Sequence, residues 1–179
     1  MSKGKKFDYN IVLIGFMGAG KSTVADYLRT IYDMDIVEMD QVIADREGMT
    51  IPDIFEQYGE SYFRTRETEL LIEMQGKRNC IISCGGGAAM REENVKEMKK
   101  NGRVILLTAS PEVIYARVKD GNDRPVLAGR KSVEGIKDLM EQRRGKYEAA
   151  ADIMINTDNK TIPEVCEEMV RRLSEMDEK

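Results

Sequence analysis

Residues 10–29 form the part of this sequence that most constrains the fold. Four consecutive apolar residues, Ile11 to Ile14, predict a buried strand, and the run ends at Gly15. The loop after Gly15 closes with Gly20-Lys21-Ser22 and leads into an amphipathic helix, so the spacing G-x-x-x-x-G-K-S has the strand–loop–helix context that it requires. A chance glycine turn before a helix is the alternative, and the complete spacing argues against it. The stretch therefore predicts a phosphate-binding loop.

Different residues of this loop have different expected tasks. Gly15, Gly18 and Gly20 allow the backbone to curl with its N–H groups pointing inward, so that the loop and the helix N-terminus hold polyphosphate oxygens. Lys21 is expected to reach the β and γ phosphates. The hydroxyl of Ser22 is expected to bind Mg²⁺.

Length and composition favour one domain that acts on small molecules. The chain has 179 residues, of which 41% are apolar and 34% charged, as in an ordinary globular protein. We therefore predict one domain over residues 1–179 with a core from 10 to 174. The 28 basic and 32 acidic residues give a net charge of −4, which argues against a nucleic-acid partner because no net basic charge exists to displace counterions.

The chain has no sequence feature of a membrane or exported protein. No apolar run approaches the roughly 18 residues that span a bilayer, and the basic residues 1–6 are not followed by an apolar signal region. We expect a cytoplasmic protein. The odd number of cysteines, Cys80, Cys84 and Cys166, fits reduced core thiols, and a metal site at Cys80 and Cys84 lacks further ligands because the chain has no histidine. Any general base must then be a carboxylate, lysine, tyrosine or cysteine.

Strand and helix patterns alternate along the rest of the chain. Further strands are predicted at 35–40, 79–83, 103–108 and 153–155, and further helices at 41–48, 51–58, 59–74, 91–102, 132–151 and 162–176, with one more helix starting after Ser110. This alternation predicts an α/β protein with one doubly wound parallel sheet.

Three motifs beyond the loop suggest a site. Glu38 and Asp40, spaced two apart on the second strand, would reach the carboxyl edge of the sheet, where ligands bind; solvated acids at a strand end are the alternative. The glycine run 85–87 implies close approach of the backbone to a ligand, unless it is only a flexible turn. Arg64 could hold an anion while Glu67 fixes its guanidinium, or the two could form a plain surface pair.

A polar segment bounded by glycine, residues 119–130, lies between two of the later helices and carries Arg124. Its composition is typical of an active-site lid, and a plain surface loop is the competing interpretation.

In their order along the chain, these motifs resemble the shikimate kinase family from about Asn10 to the final helix. The matching motifs are Gly15-Phe16-Met17-Gly18-Ala19-Gly20-Lys21-Ser22-Thr23, the acidic pair ending in Asp40, Phe63-Arg64-x-x-Glu67, Gly85-Gly86-Gly87, Asp123-Arg124-Pro125-x-Leu127 and Arg143-x-x-x-Tyr147. The resemblance implies a five-stranded P-loop kinase fold with strand order 2-3-1-4-5, a mobile lid at 119–130 and substrate-binding helices within 41–75. It also implies transfer of the ATP γ-phosphoryl to the 3-hydroxyl of shikimate, a step of aromatic amino-acid biosynthesis.

The resemblance also implies a role for each matching residue. Lys21, Asp40 and Arg124 would be catalytic, with Asp40 as the base, and Mg²⁺ would bind at Ser22. ATP would contact Gly18, Ala19, Gly20, Lys21, Ser22, Thr23, Arg117, Arg124 and Asn159, while shikimate would contact Asp40, Arg64, Gly85, Gly86, Gly87 and Arg143. The family commonly has aspartate where Glu38 stands and leucine where Val126 stands. We expect a monomer whose partners are shikimate and MgATP.

Two other functions are compatible with such a loop. One is another kinase of the same fold that phosphorylates a different hydroxy acid or a nucleotide. The other is a nucleotide-binding module without phosphotransfer, which would usually have lost its lysine, lid arginine or base. Lys21, Arg124 and Asp40 are all present, so the sequence favours an enzyme.

Overall fold

The computed structural model describes residues 7–119 and 132–179. The predicted lid lies outside the described residues except for Lys119, and so does Arg124 with the rest of its motif.

Five parallel strands form one sheet at the centre of the described chain. They are β1 (Asn10–Ile14), β2 (Asp35–Glu38), β3 (Cys80–Ser83), β4 (Gly102–Thr108) and β5 (Ile153–Asn156). Their order is β2-β3-β1-β4-β5, and every neighbouring pair is parallel. The predicted strand order 2-3-1-4-5 is confirmed.

Helices connect these strands and cover the sheet. They are α1 (Lys21–Ile31), α2 (Met39–Glu47), α3 (Ile51–Tyr58), α4 (Glu60–Met74), α5 (Glu92–Lys100), α6 (Pro111–Val118), α7 (Val133–Ala150) and α8 (Ile162–Asp177), with a short 3₁₀ helix at Ala88–Met90. Several start at side-chain caps: the hydroxyls of Thr50, Ser110, Ser132 and Thr161 each accept a hydrogen bond from the backbone three residues on.

Strand β1 shows why the fold is doubly wound. All of its residues are buried, and Ile11 and Leu13 are 0% exposed while Val12 and Ile14 are 1% exposed. Alternate residues of a strand point to opposite faces, so both faces of the sheet must be covered at β1. An apolar run without alternation therefore indicated the centre of this sheet.

The structure corrects the prediction for the second strand. It ends at Glu38, not at Asp40, and α2 begins at Met39. β2 pairs only with β3, and their last partners are Glu38 and Ser83, so nothing remains to hold Asp40 in a strand. Asp40 lies in the first turn of α2 instead, beside the fully buried Met39.

Within the described residues, no helix has the length and apolar character needed to cross a membrane.

Candidate active site

The loop between β1 and α1 has the backbone shape that the glycines predicted. Gly15, Gly18 and Gly20 have φ values of 147°, 80° and 100°, which side chains of L-residues rarely adopt. A Cβ on Gly15 would lie 2.4 Å from the carbonyl oxygen of Leu107 in β4. Position 15 therefore needs glycine because the neighbouring strand leaves no room for a side chain.

Lys21 places its charge inside this loop. The side chain is buried, and Nζ donates to the carbonyl oxygens of Gly15 at 2.7 Å and Phe16 at 3.0 Å. These contacts fix the ammonium group at the point around which the loop curls. A polyphosphate in the loop would meet a positive charge that is already in position.

Ser22 and Glu38 bring two oxygen ligands together. The Ser22 hydroxyl donates to Oε2 of Glu38 at 3.1 Å, which joins the start of α1 to the end of β2. Hydroxyl and carboxylate oxygens suit Mg²⁺, which commonly binds through one or two protein groups together with substrate phosphates. The carboxylate of Glu38, which is one methylene longer than the aspartate common in the family, therefore lies next to Ser22, the predicted metal ligand.

The loop opens into a cavity of about 500 Å³. All six predicted ATP contacts of the loop line it, as do Glu38, Asp40, Gly85, Gly86 and Arg117. Arg117 also touches the loop, since its Nη1 donates to the carbonyl oxygen of Gly18 at 2.6 Å. Predicted nucleotide residues thus share one cavity with the predicted substrate residues Asp40, Gly85 and Gly86, whereas Arg64, Gly87 and Arg143 are not among the described residues that line it.

The β5–α8 loop differs from the prediction in its details. Asn159 is exposed and is not among the described residues that line the cavity, whereas Thr157 and Lys160 line it. The backbone of Asn159 is left-handed, with φ 59°. Residues of the predicted loop thus line the cavity, but the turn that decides which of its side chains face the cavity is a tertiary feature.

Gly85 lies against two carboxylates. A Cβ there would be 2.6 Å from Oδ1 of Asp40 and 3.2 Å from Oε2 of Glu67. The absence of a side chain at this position therefore allows Asp40, from α2, to approach the end of β3. Glu67 comes to the same point from α4.

The other two glycines each face an arginine. A Cβ on Gly86 would lie 3.2 Å from Nη1 of Arg143, and one on Gly87 would lie 2.5 Å from Nη2 of Arg64. The three glycines thus bring together the carboxylate and both arginines that the motifs suggested. The interpretation of residues 85–87 as a flexible turn does not explain these approaches.

Arg64 is held in place by two glutamates. Its Nη1 donates to Oε1 of Glu67 at 2.8 Å, while Nε and Nη2 share Oε1 of Glu60 at 3.3 and 3.1 Å. Arg64 is buried and Glu67 is 0% exposed, so the predicted pair is not a surface pair. Burial raises the pKa of Glu67 from 4.5 to about 6, against the opposing effect of Arg64.

Arg143 is buried as well, but its guanidinium has fewer hydrogen bonds than that of Arg64. Its guanidinium lies 5.7 Å from the centre of the Phe16 ring, and its Nη1 has no hydrogen-bond partner among the described residues. A buried charged donor without an acceptor costs free energy. An anionic ligand beside Gly86 would remove that cost.

Physical chemistry narrows the choice of general base. Burial raises the pKa of the Cys84 thiol far above its usual value, and burial also raises the pKa of Tyr147. Neither group accepts a proton readily near neutral pH, because both are already protonated there. Two carboxylates that could accept a proton, Glu38 and Asp40, line the cavity, and Asp40 also lies beside Gly85.

Sequence reasoning assigned no task to Tyr147 or Asn94, although Tyr147 belongs to a quoted motif. Tyr147 donates its hydroxyl hydrogen to the carbonyl oxygen of Gly86, and Nδ2 of Asn94 donates to the carbonyl oxygen of Ala88 at 2.9 Å. The spacing of Arg143 and Tyr147, one helical turn apart, was the only signal in the sequence.

Comparisons with known proteins point to one family. A sequence profile of the shikimate kinase family matches residues 17–174. A shikimate kinase from Sulfurihydrogenibium sp. is 42% identical over 164 residues, which cover 92% of this chain and 97% of that protein. A solved structure described as shikimate kinase from Acinetobacter baumannii in complex with shikimate is 31% identical, with a TM-score of 0.89 and 96% coverage of both chains. A gluconokinase structure from Sinorhizobium meliloti, 18% identical with a TM-score of 0.62, shares the fold alone. The chain belongs to the shikimate kinase family.

Proposed function

We propose that this protein transfers the γ-phosphoryl group of ATP to the 3-hydroxyl of shikimate, giving shikimate 3-phosphate and ADP. One observation carries the proposal most strongly: Asp40, Arg143 and Arg64 each lie against one residue of the glycine run, next to the phosphate-binding loop. Shikimate carries an acid group at one end and hydroxyls at the other, which suits two arginines and one carboxylate.

Arg64 and Arg143 would bind the substrate carboxylate. Glu67 and Glu60 already orient Arg64, so little conformational freedom is lost on binding. The unpartnered Nη1 of Arg143 would gain the acceptor that it lacks.

Asp40 would bind the reacting hydroxyl and accept its proton. It lines the cavity together with Lys21, so the hydroxyl and the γ-phosphoryl could meet there. Lys21 would neutralise charge on the transferring group, and in phosphoryl transfer such electrostatic stabilisation is the main contribution of the protein.

Ser22, oriented by Glu38, would hold Mg²⁺. When bound, the ion neutralises charge on the β and γ phosphates. Glu38, which accepts a hydrogen bond from Ser22, would supply a second oxygen to hold the ion.

The remaining residue assignments extend this proposal. Arg117, on the cavity wall, and Asn159, in the neighbouring β5–α8 loop, would frame the adenine. Arg124 would contact the phosphates from a lid at 119–130; both lie outside the described residues, apart from Lys119, and rest on the sequence motif. We also propose that the chain acts as a single-domain monomer in the cytoplasm.

A substrate panel tests the proposed function. The purified protein would be given MgATP with shikimate, gluconate or a nucleoside monophosphate, and ADP release and the mass of the product would be measured. We expect turnover with shikimate and a product heavier by one phosphoryl group. Turnover with gluconate or a nucleotide, but not with shikimate, would favour another kinase of this fold, and ATP binding without any turnover would favour a binding module.

A further inference from the structure

The backbone of the glycine run is oriented by hydrogen bonds to its carbonyl groups. The carbonyl oxygen of Gly85 accepts from the backbone N–H of Ala88 at 3.1 Å, and that of Gly87 accepts from the N–H of Met90, also at 3.1 Å. These two bonds lie within the 3₁₀ turn. Side chains from two different helices bind the carbonyl groups of Gly86 and Ala88.

Tyr147 of α7 and Asn94 of α5 supply these two hydrogen bonds. Both side chains are buried: Tyr147 is 6% exposed and Asn94 is 0% exposed. Asn94 is fixed in turn by Thr68 of α4, whose hydroxyl donates to its Oδ1 at 2.6 Å. Neither Tyr147 nor Asn94 is among the residues that line the cavity described above.

The N–H groups of the glycine run differ from its carbonyl groups in their hydrogen bonding. Within the described residues, no hydrogen-bond acceptor is recorded for the N–H of Gly85, Gly86 or Gly87. In a trans peptide the C=O of one residue and the N–H of the next point in opposite directions, and the described chain has no cis peptide. A bond that holds the Gly86 carbonyl toward Tyr147 therefore points the Gly87 N–H away from Tyr147.

We propose that Tyr147 and Asn94 are positioning residues: Tyr147 fixes the peptide plane that carries the N–H of Gly87, and Asn94 holds the 3₁₀ turn that follows the run, so that the N–H groups of the run remain available to the acceptor substrate. The identity of that substrate rests on the proposed function. Arg143 and Tyr147 lie one turn apart on the same face of α7. One helix therefore supplies both the guanidinium that faces Gly86 and the hydroxyl that binds the Gly86 carbonyl group.

The variant Tyr147→Phe tests this proposal, with Tyr9→Phe as its matched control. Tyr9 is also buried and also donates its hydroxyl hydrogen, but to Asp177 near the C-terminus of α8. We expect Tyr147→Phe to raise KM for shikimate about tenfold, the effect of losing one hydrogen bond from a glycine N–H to the substrate, while kcat and KM for ATP change less than about twofold. Tyr9→Phe should leave all three parameters unchanged.

Variants at Asn94 and Thr68, on two other helices, and a hydrogen-exchange measurement make the test independent of Tyr147→Phe kinetics. Asn94→Asp replaces the donor to Ala88 by an acceptor, and Thr68→Val, which removes the hydroxyl that fixes Asn94, serves if Asn94→Asp does not fold. Either is expected to raise KM for shikimate in the same way. Hydrogen exchange of the apo protein over residues 84–90 should be faster in Tyr147→Phe than in Tyr9→Phe.

An unchanged KM for shikimate in Tyr147→Phe overturns the proposal. So does a parallel loss of shikimate affinity, ATP affinity and thermal stability, because that pattern describes general destabilisation. If the wild-type protein does not phosphorylate shikimate, the proposed function fails, and the exchange comparison alone then decides whether Tyr147 orders the glycine run.

Discussion

Single residues in this site carry charges that are shielded from water. Glu67 is the extreme example, since it is 0% exposed and yet forms an ion pair with Arg64. Its pKa is raised from 4.5 to about 6, first by burial and then by the nearby negative charge of Asp40. Ionisation of Glu67 is therefore harder in the folded protein than in the unfolded chain.

This shift predicts a pH dependence of stability. A carboxyl group with a raised pKa stabilises the fold fully below pH 4.5, and this contribution is lost as pH rises through about 6. Relative to Glu67→Gln, which keeps the shape and cannot ionise, the wild-type free energy of unfolding should fall by on the order of 2 kcal/mol between pH 4.5 and 7.5. Urea unfolding at several pH values measures this. Parallel stability curves for the two proteins would contradict the assignment.

The proposed binding of the substrate carboxylate by Arg143 can be tested with the neighbouring Arg144 as a control. Arg143→Lys keeps the charge but loses the planar fork that binds a carboxylate with two hydrogen bonds, so we expect shikimate affinity to fall about tenfold or more. Arg144→Lys is the matched control, because Arg144 is exposed and pairs with Glu141 and Glu148. Calorimetry with shikimate measures both affinities. Equal affinities for the two variants would remove Arg143 from the site.

Among the secondary-structure elements, the turn after β3 places the most demands on its sequence. Gly87 has an ordinary backbone conformation, with φ −97°, so alanine would cause no backbone strain there. Its Cβ would instead collide with the guanidinium of Arg64, which Glu67 and Glu60 hold. We expect Gly87→Ala to fold but to bind shikimate at least about tenfold more weakly, since Arg64 must leave its position.

Gly145 of α7 provides the control for this substitution. It is exposed, and an added Cβ would meet nothing within 4 Å. Gly145→Ala should stabilise the protein by about 0.5–1 kcal/mol, because alanine loses less backbone entropy in a helix. Its shikimate affinity should equal that of the wild type. Normal shikimate affinity in Gly87→Ala would show that Arg64 does not need its present position.

The sequence predicted the elements better than the contacts between them. The strand–loop–helix at β1 and the helix starts at Ser110 and Ser132 are local signals, and each marked a real boundary. The predicted end of β2 was wrong by two residues, because pairing with the partner strand, and not local propensity, decides where a strand ends. The hydrogen bonds of Tyr147 and Asn94 to the glycine run depend on how helices pack, which no local pattern contains.

Across the whole molecule, the sheet order explains how distant residues form one site. Strands β2, β3 and β1 lie side by side and run in parallel, so their carboxyl ends meet at one edge. Lys21 follows β1, Asp40 follows β2 and Gly85 follows β3, and all three line the same cavity. Residues far apart in sequence thus become neighbours through the topology alone.

Shikimate-dependent ADP release tests phosphoryl transfer at this edge most directly. With MgATP in excess, the wild-type protein should release one ADP for each shikimate consumed and almost none without shikimate. Lys21→Met should fold normally by circular dichroism and lose nearly all turnover, because the charge inside the loop is gone. ADP release that does not depend on shikimate, or normal turnover by a folded Lys21→Met, would contradict the proposed reaction.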